Sequence, residues 1–92
     1  MTNGNGYLGS SALMTSTANQ ELLPNKPASW SHGYKLIRFS FDNDQDCSVV
    51  VNGQVTIFLK AGQGFEIGEG DIPITSFKIV QAGITFNWIG IW

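Results

Sequence analysis

The 92-residue sequence is short of charge, of cysteine, of histidine and of basic side chains. Lys and Arg number 5 against 7 Asp and Glu, for a formal net charge of −2, and charged residues make up only 13% of the chain, about half the usual share. Five scattered basic residues build no basic stripe, so nucleic-acid binding is not expected. One cysteine excludes a disulfide framework within the chain, and one histidine beside it is too few for a closed zinc site. No apolar run approaches the roughly 18 residues of a membrane-spanning helix, so no membrane partner is expected. Met1-Thr2-Asn3-Gly4 offers neither a basic nor a continuous apolar region, and no secretory signal is expected.

What is present divides into two textures. In residues 1–32, 16 are Gly, Ser, Thr, Asn or Gln, and only Glu21 and Lys26 carry charge. The sparse apolar residues Tyr7, Leu8, Leu13, Met14, Leu22, Leu23 and Trp30 follow no helical or strand period. Pro24 and Pro27 push the exit of this stretch towards extended backbone. Ordering it costs roughly 1–2 kcal/mol per residue in backbone entropy, more than its own apolar surface repays. Residues 1–32 therefore read as an extended polar arm that orders by docking onto a neighbouring chain.

Residues 33–92 are rich in β-branched and aromatic side chains, with turn residues about every ten positions. Residues 34–41 alternate in part, 42–46 read as an acidic turn, and Asn52-Gly53 is a strong hairpin signal between 47–51 and 54–59. In a two-residue register Val51 faces Gln54, Val50 faces Val55, Val49 faces Thr56, Ser48 faces Ile57 and Cys47 faces Phe58. Residues 65–67 form a short strand after the turn at 61–64, and 68–71 form another turn. Residues 75–80 and 84–92 alternate cleanly, and Gln81-Ala82-Gly83 suits a three-residue hairpin between them. The expected fold is all-β: a small antiparallel sandwich or partly open barrel of about six strands over 33–92, with the N-terminal arm outside it.

A β body of this size is marginal alone. Low charge and abundant aromatics suit a subunit interface, so a homo-oligomer is expected. Trp88 and Trp92 share one strand face. The expected subunit or partner contacts are Tyr7, Leu8, Leu13, Leu22, Leu23, Trp30, Trp88 and Trp92. No catalytic group, cofactor or metal site is expected. Asp42, Asp44 and Asp46 begin like a calcium loop, but an EF-hand needs Gly where Cys47 stands and Glu where Gly53 stands; a solvated acidic turn is the reading, with a generic surface cation site as the alternative. Gly62-x-Gly64 precedes a strand where a phosphate loop needs a helix. His32, Cys47 and Ser31 match no nucleophile motif. Trp30, Tyr34, Trp88 and Trp92, with Asn87 and Arg38 as polar neighbours, are candidates for a sugar-stacking platform.

Val49-Val50-Val51-Asn52-Gly53, the run from Ile57 to Phe65, the run from Ile74 to Val80 and the run from Gly83 to Gly90 together resemble small all-β virion proteins of tailed bacteriophages. The resemblance covers residues 47–91 and lies in texture and strand order. It implies a non-enzymatic virion structural protein, decorating a capsid or attached at a head, neck or tail. Its partners would be copies of itself, as a trimer or hexamer, and another virion protein such as the major capsid protein, clasped by the arm. The second functional expectation is a carbohydrate-binding β-sandwich of a phage fibre or cell surface.

Overall fold

The computed structural model describes residues 6–68 and 70–92; the sequence start at 1–5 and Glu69 of the turn at 68–71 lie outside the described residues. Among the described residues, nine strands form two antiparallel sheets. They are β1 (Tyr7–Gly9), β2 (Met14–Thr15), β3 (Gln20–Glu21), β4 (Arg38–Asn43), β5 (Cys47–Val51), β6 (Val55–Leu59), β7 (Phe65–Ile67), β8 (Phe77–Ile79) and β9 (Thr85–Ile91). One sheet runs β1-β9-β4-β7 with β2 also on β9; the other runs β3-β8-β5-β6, and neither closes into a barrel. The pairs nest inward from the chain ends: β1 and β2 with β9, β3 with β8, β4 with β7, β5 with β6. An antiparallel ribbon closed by the β5–β6 hairpin has been folded over, and β4–β9 and β5–β8 pairs join its turns. This is the strand order of a jelly roll, an architecture that buries its apolar strand faces between two sheets.

The six strands expected in 33–92 are β4 to β9. The expected arm needs correction, because residues 6–22 are part of the sandwich. They run antiparallel along the C-terminal strands of the same chain. Gly6 and Trp92 exchange two N–H···O bonds of 3.2 and 3.0 Å, Ser16 N–H reaches Ile84 O at 2.8 Å, and Leu22 N–H reaches Phe77 O at 2.9 Å. The reason is edge satisfaction: without this segment β9 and β8 would each present an open row of peptide groups. A polar segment lacking a period of its own can still supply that row, and Leu22 and Leu23 then drop into the core, each worth about 1.5–3 kcal/mol.

Two local expectations also change. The stretch 81–83 joins strands of different sheets, so it is a corner and not a hairpin. Ser16 holds it from the N-terminal side: its hydroxyl donates to Gln81 O at 2.7 Å and accepts Ile84 N–H at 3.0 Å. At the β5–β6 hairpin, Asn52 and Gly53 have the two positive φ values of a type I′ turn, 54° and 65°, and Gln54 N–H bonds Val51 O. The ladder nevertheless starts one residue later, with Val51 opposite Val55, Val49 opposite Ile57 and Cys47 opposite Leu59. The shift puts Val55, Ile57 and Leu59 on the inward side with Val49 and Val51, and Thr56 and Phe58 on the outward side. The Asn52 side chain does not merely turn the chain; it accepts Thr75 N–H at 2.7 Å and donates to Pro73 O at 3.0 Å.

Between the sheets, Phe77 sits with its ring centroid 4.7 Å from that of Phe39 and 4.9 Å from that of Phe41. Leu36, Val49, Leu59, Ile74, Ile79 and Phe86 lie in the same core. Asn43 is a buried polar residue among them. Its amide donates to Gln45 O and Lys60 O at 2.8 and 2.9 Å and accepts Gly64 N–H at 2.9 Å, so no amide atom is left unpaired. Gly64 has φ +69°, and a Cβ there would lie 2.6 Å from Phe41 O, so only glycine fits the amide's receiving loop. Because residues 6–22 are structural, a chain lacking residues 1–22 should lose its cooperative thermal transition; a folded, cooperatively melting remainder seen by near-UV circular dichroism would contradict this placement.

Candidate functional site

The expected contact residues separate into three environments. Leu22, Leu23 and Trp88 are buried in the chain's own core, Trp88 with its ring 5.8 Å from Phe39. These three cannot also be surface contacts, because their side chains are buried in the core of the same chain. Leu8 is half-buried against that core. Tyr7, 73% exposed, and Leu13, 66% exposed, stand in solvent. Trp30 and Trp92 are half-buried together.

Trp30, Tyr34 and Trp92 form one aromatic cluster at an end of the sandwich. Ring centroids are 4.8 Å apart for Trp30 and Tyr34, 5.0 Å for Trp30 and Trp92, and 5.3 Å for Tyr34 and Trp92. These are the tilted and edge-on geometries that aromatic rings favour. The loop that brings Trp30 is closed by Trp30 N–H to Pro27 O at 3.0 Å and Lys26 Nζ to Trp30 O at 2.6 Å. His32 leans on Trp30 at 5.9 Å. Three of the four rings proposed for a platform therefore meet, while Trp88 does not. Strand alternation puts Asn87 and Arg38 on the outward face of the five-stranded sheet, Arg38 opposite Ile91 and Asn87 opposite Asp42.

That outward face carries an apolar patch which the expected contacts captured only at Tyr7. Gly90 and Leu8 point inward, so their strand neighbours Ile89, Ile91 and Tyr7 point out, with Tyr7 opposite Ile91 and Gly9 opposite Ile89. Ile89 is 52% exposed. A shallow groove of about 170 Å³ runs beside them, lined also by Arg38, Ser40 and Glu66. The alternation of 84–92 already separated Ile89 and Ile91 from Trp88; the signal was there, but the tryptophans drew the assignment. A second, apolar cleft of about 260 Å³ opens beside residues 11–13, between Leu8, Met14, Leu22, Phe86 and Trp88.

The chemistry-bearing side chains do not converge. Among the described residues no three His, Cys, Asp or Glu side chains gather as a metal site. Asp42 and Asn43 belong to β4, so the turn is shorter than expected, and Asp46 accepts Ala61 N–H at 2.8 Å. Cys47 is buried on the inward side of β5, whereas His32 is exposed in the 24–35 segment. Burial raises the Cys47 thiol above its ordinary value of 9.0, a hydrogen bond with Asn43 opposes that, and the charge of Asp46 adds to it. No family model matches the chain, and no curated protein or solved structure matches it.

The raised thiol predicts both reactivity and pH dependence. Unfolded chain ionises near 9.0 and folded chain only above it, so folding stability is intact below that pH and falls as pH rises beyond it. Alkylation by iodoacetamide at neutral pH should be slow in native protein and fast in denaturant; equal rates in the two would show Cys47 to be accessible.

Proposed function

We propose that this chain is a non-enzymatic structural component of a virion that works as a symmetric oligomer and attaches to another virion protein. The observation that carries the reading is the outward apolar face of Tyr7, Ile89 and Ile91 on the five-stranded sheet. An antiparallel sheet exposed to water ordinarily turns polar residues outward, and a contiguous apolar patch marks a contact surface. A jelly roll supports the reading as an architecture used by capsid subunits, and the low charge of the chain agrees with an interface-rich surface. The clasp once assigned to the whole N-terminal arm falls instead to Tyr7 and Leu13, since Leu22 and Leu23 serve the chain's own core. Light scattering of the full chain should give a multiple of 10.0 kDa, and Ile89→Lys should shift it towards the monomer without changing the circular dichroism. A monomer at every soluble concentration, or an Ile89→Lys mass equal to wild type, would overturn the assignment of this face.

The half-exposed cluster of Trp30, Tyr34 and Trp92 favours a second reading, a glycan-binding sandwich, because aromatic faces stack on sugar rings and jelly rolls also serve as lectins. On a glycan array this reading requires retention that Trp30→Ala abolishes while the solution mass stays unchanged. No retention of any glycan by the wild-type chain would eliminate it.

A further inference from the structure

We infer that β6 is a self-complementary edge at which a second copy of the chain docks its own β6, antiparallel, extending the four-stranded sheet across a two-fold axis. The inference deepens the oligomer reading above and rests on it, but it uses a different surface. The other edges are blunted. β3 has two residues, β7 has three with Glu66 in the middle, and the β1/β2 edge is interrupted at 11–13. β6 is five residues long, holds no charge and no proline, and leaves Val55 49% and Phe58 57% exposed. Sheet edges of that length ordinarily carry a charge, a proline or a bulge to prevent pairing.

The peptide geometry names the occupant. Ser48 O accepts Val80 N–H at 2.9 Å and Asn52 N–H donates to Ser76 O at 2.7 Å, so residues 48, 50 and 52 face β8. Cys47, Val49 and Val51 therefore face β6, and their partners Leu59, Ile57 and Val55 face back. Thr56 and Phe58 consequently turn their N–H and C=O groups away from the sheet. Among the described residues β6 pairs with β5 alone. A two-fold axis at Ile57 sets Thr56 opposite the partner's Phe58 and Phe58 opposite the partner's Thr56. Each pair exchanges two main-chain bonds, so all four outward donors and acceptors at these positions are satisfied. The same register lays Phe58 over a β-branched residue, a favourable cross-strand pair. It sets Lys60 opposite the partner's Gln54, so no like charges meet. Ile57 faces itself across the axis as a pair without hydrogen bonds, the arrangement with the closest Cβ atoms.

The test uses the full chain in three forms. Ile57→Cys should oxidise to a covalent dimer on a non-reducing gel, whereas Thr56→Cys, carrying the same buried Cys47 and lacking a self-facing position, should not. Thr56→Pro, which removes an outward N–H and leaves the β5 ladder intact, should weaken self-association about tenfold or more, since symmetry deletes two of the four bonds. Unchanged circular dichroism certifies its fold. An oligomeric wild type with no Ile57→Cys cross-link overturns the edge and leaves the oligomer reading standing. A cross-link together with an Ile89→Lys mass equal to wild type keeps the edge and removes the other face. A wild type that stays monomeric at every soluble concentration removes both. Equal cross-linking of Ile57→Cys and Thr56→Cys would show random collision and also overturn the edge.

Discussion

The structure depends on the pairing of residues 6–22 along residues 77–92. Every other strand contact can be formed by the 33–92 segment by itself, but that segment leaves β9 and β8 with one side of each backbone unpaired. An unpaired, buried peptide group costs about as much as a lost hydrogen bond, and the apolar cleft between the sheets would open along that whole flank. The N-terminal segment closes both sheets at once because it crosses from one to the other at Ser16, where the hydroxyl binds the 81–84 corner on two sides. Glu21 fixes the far end: its carboxylate accepts Phe77 N–H at 2.8 Å and the Ser76 hydroxyl. A chain this small thus reaches a two-layer architecture by using its least apolar third as backbone, with side chains contributing chiefly at Leu8, Leu22 and Leu23.

That division explains what was readable in the sequence. Strand signals in 33–92 come from side chains, through alternation, β-branching and glycine turns; β5 and β7 emerge at the expected residues, whereas β4 starts four residues later than the expected 34–41 and runs two residues further. Strands β1 to β3 form for the sake of their peptide groups, which every residue possesses, so Ser, Thr, Asn and Gln there carry no period to detect. The same limit applies to the 81–83 corner. Gly83 takes the positive φ of 82° expected of it, but a left-handed residue serves a hairpin and a sheet-to-sheet crossing equally, and only the partners of the flanking strands distinguish them. The hairpin at Asn52-Gly53 shows the converse. Its turn type was legible from two residues, while its register was decided elsewhere, by the burial of Cys47, Val49 and Val51 between the sheets and by Asn52 holding 73–76.

The contact residues were less legible than the fold for a related reason. Aromatic and leucine side chains announce burial without naming the burying surface. Trp88, Leu22 and Leu23 are spent inside the chain, whereas Ile89, one position from Trp88, faces solvent. Alternation distinguishes the two faces of a strand; which face is inward follows from the whole sheet, here from Leu36 occupying the space above Gly90, where a Cβ would come within 2.7 Å. The Trp30, Tyr34 and Trp92 cluster is the intermediate case. Its rings are partly exposed, yet Trp92 also packs over Gly6 and closes the end of the ribbon, so its first role is to seal the sandwich.

The distribution of charge across the surface follows from the same economy. With 13% charged residues the chain cannot protect every exposed face and edge, and it places its few charges unevenly. Glu66 sits mid-strand on β7, Glu21 ends β3, and Lys78 stands on the outward face opposite Val50. β6 itself holds no charge between Gln54 and Lys60, whereas Arg38, opposite Ile91, borders the Tyr7, Ile89 and Ile91 patch. An uncharged edge and an apolar face on a chain that elsewhere pairs its buried polar groups are costly in isolation, since both invite association. They become useful in an assembly, where the two surfaces lie on different sheets and can engage different neighbours at the same time. An edge contact would join copies in the plane of one sheet, and a face contact would stack the other sheet against a second surface.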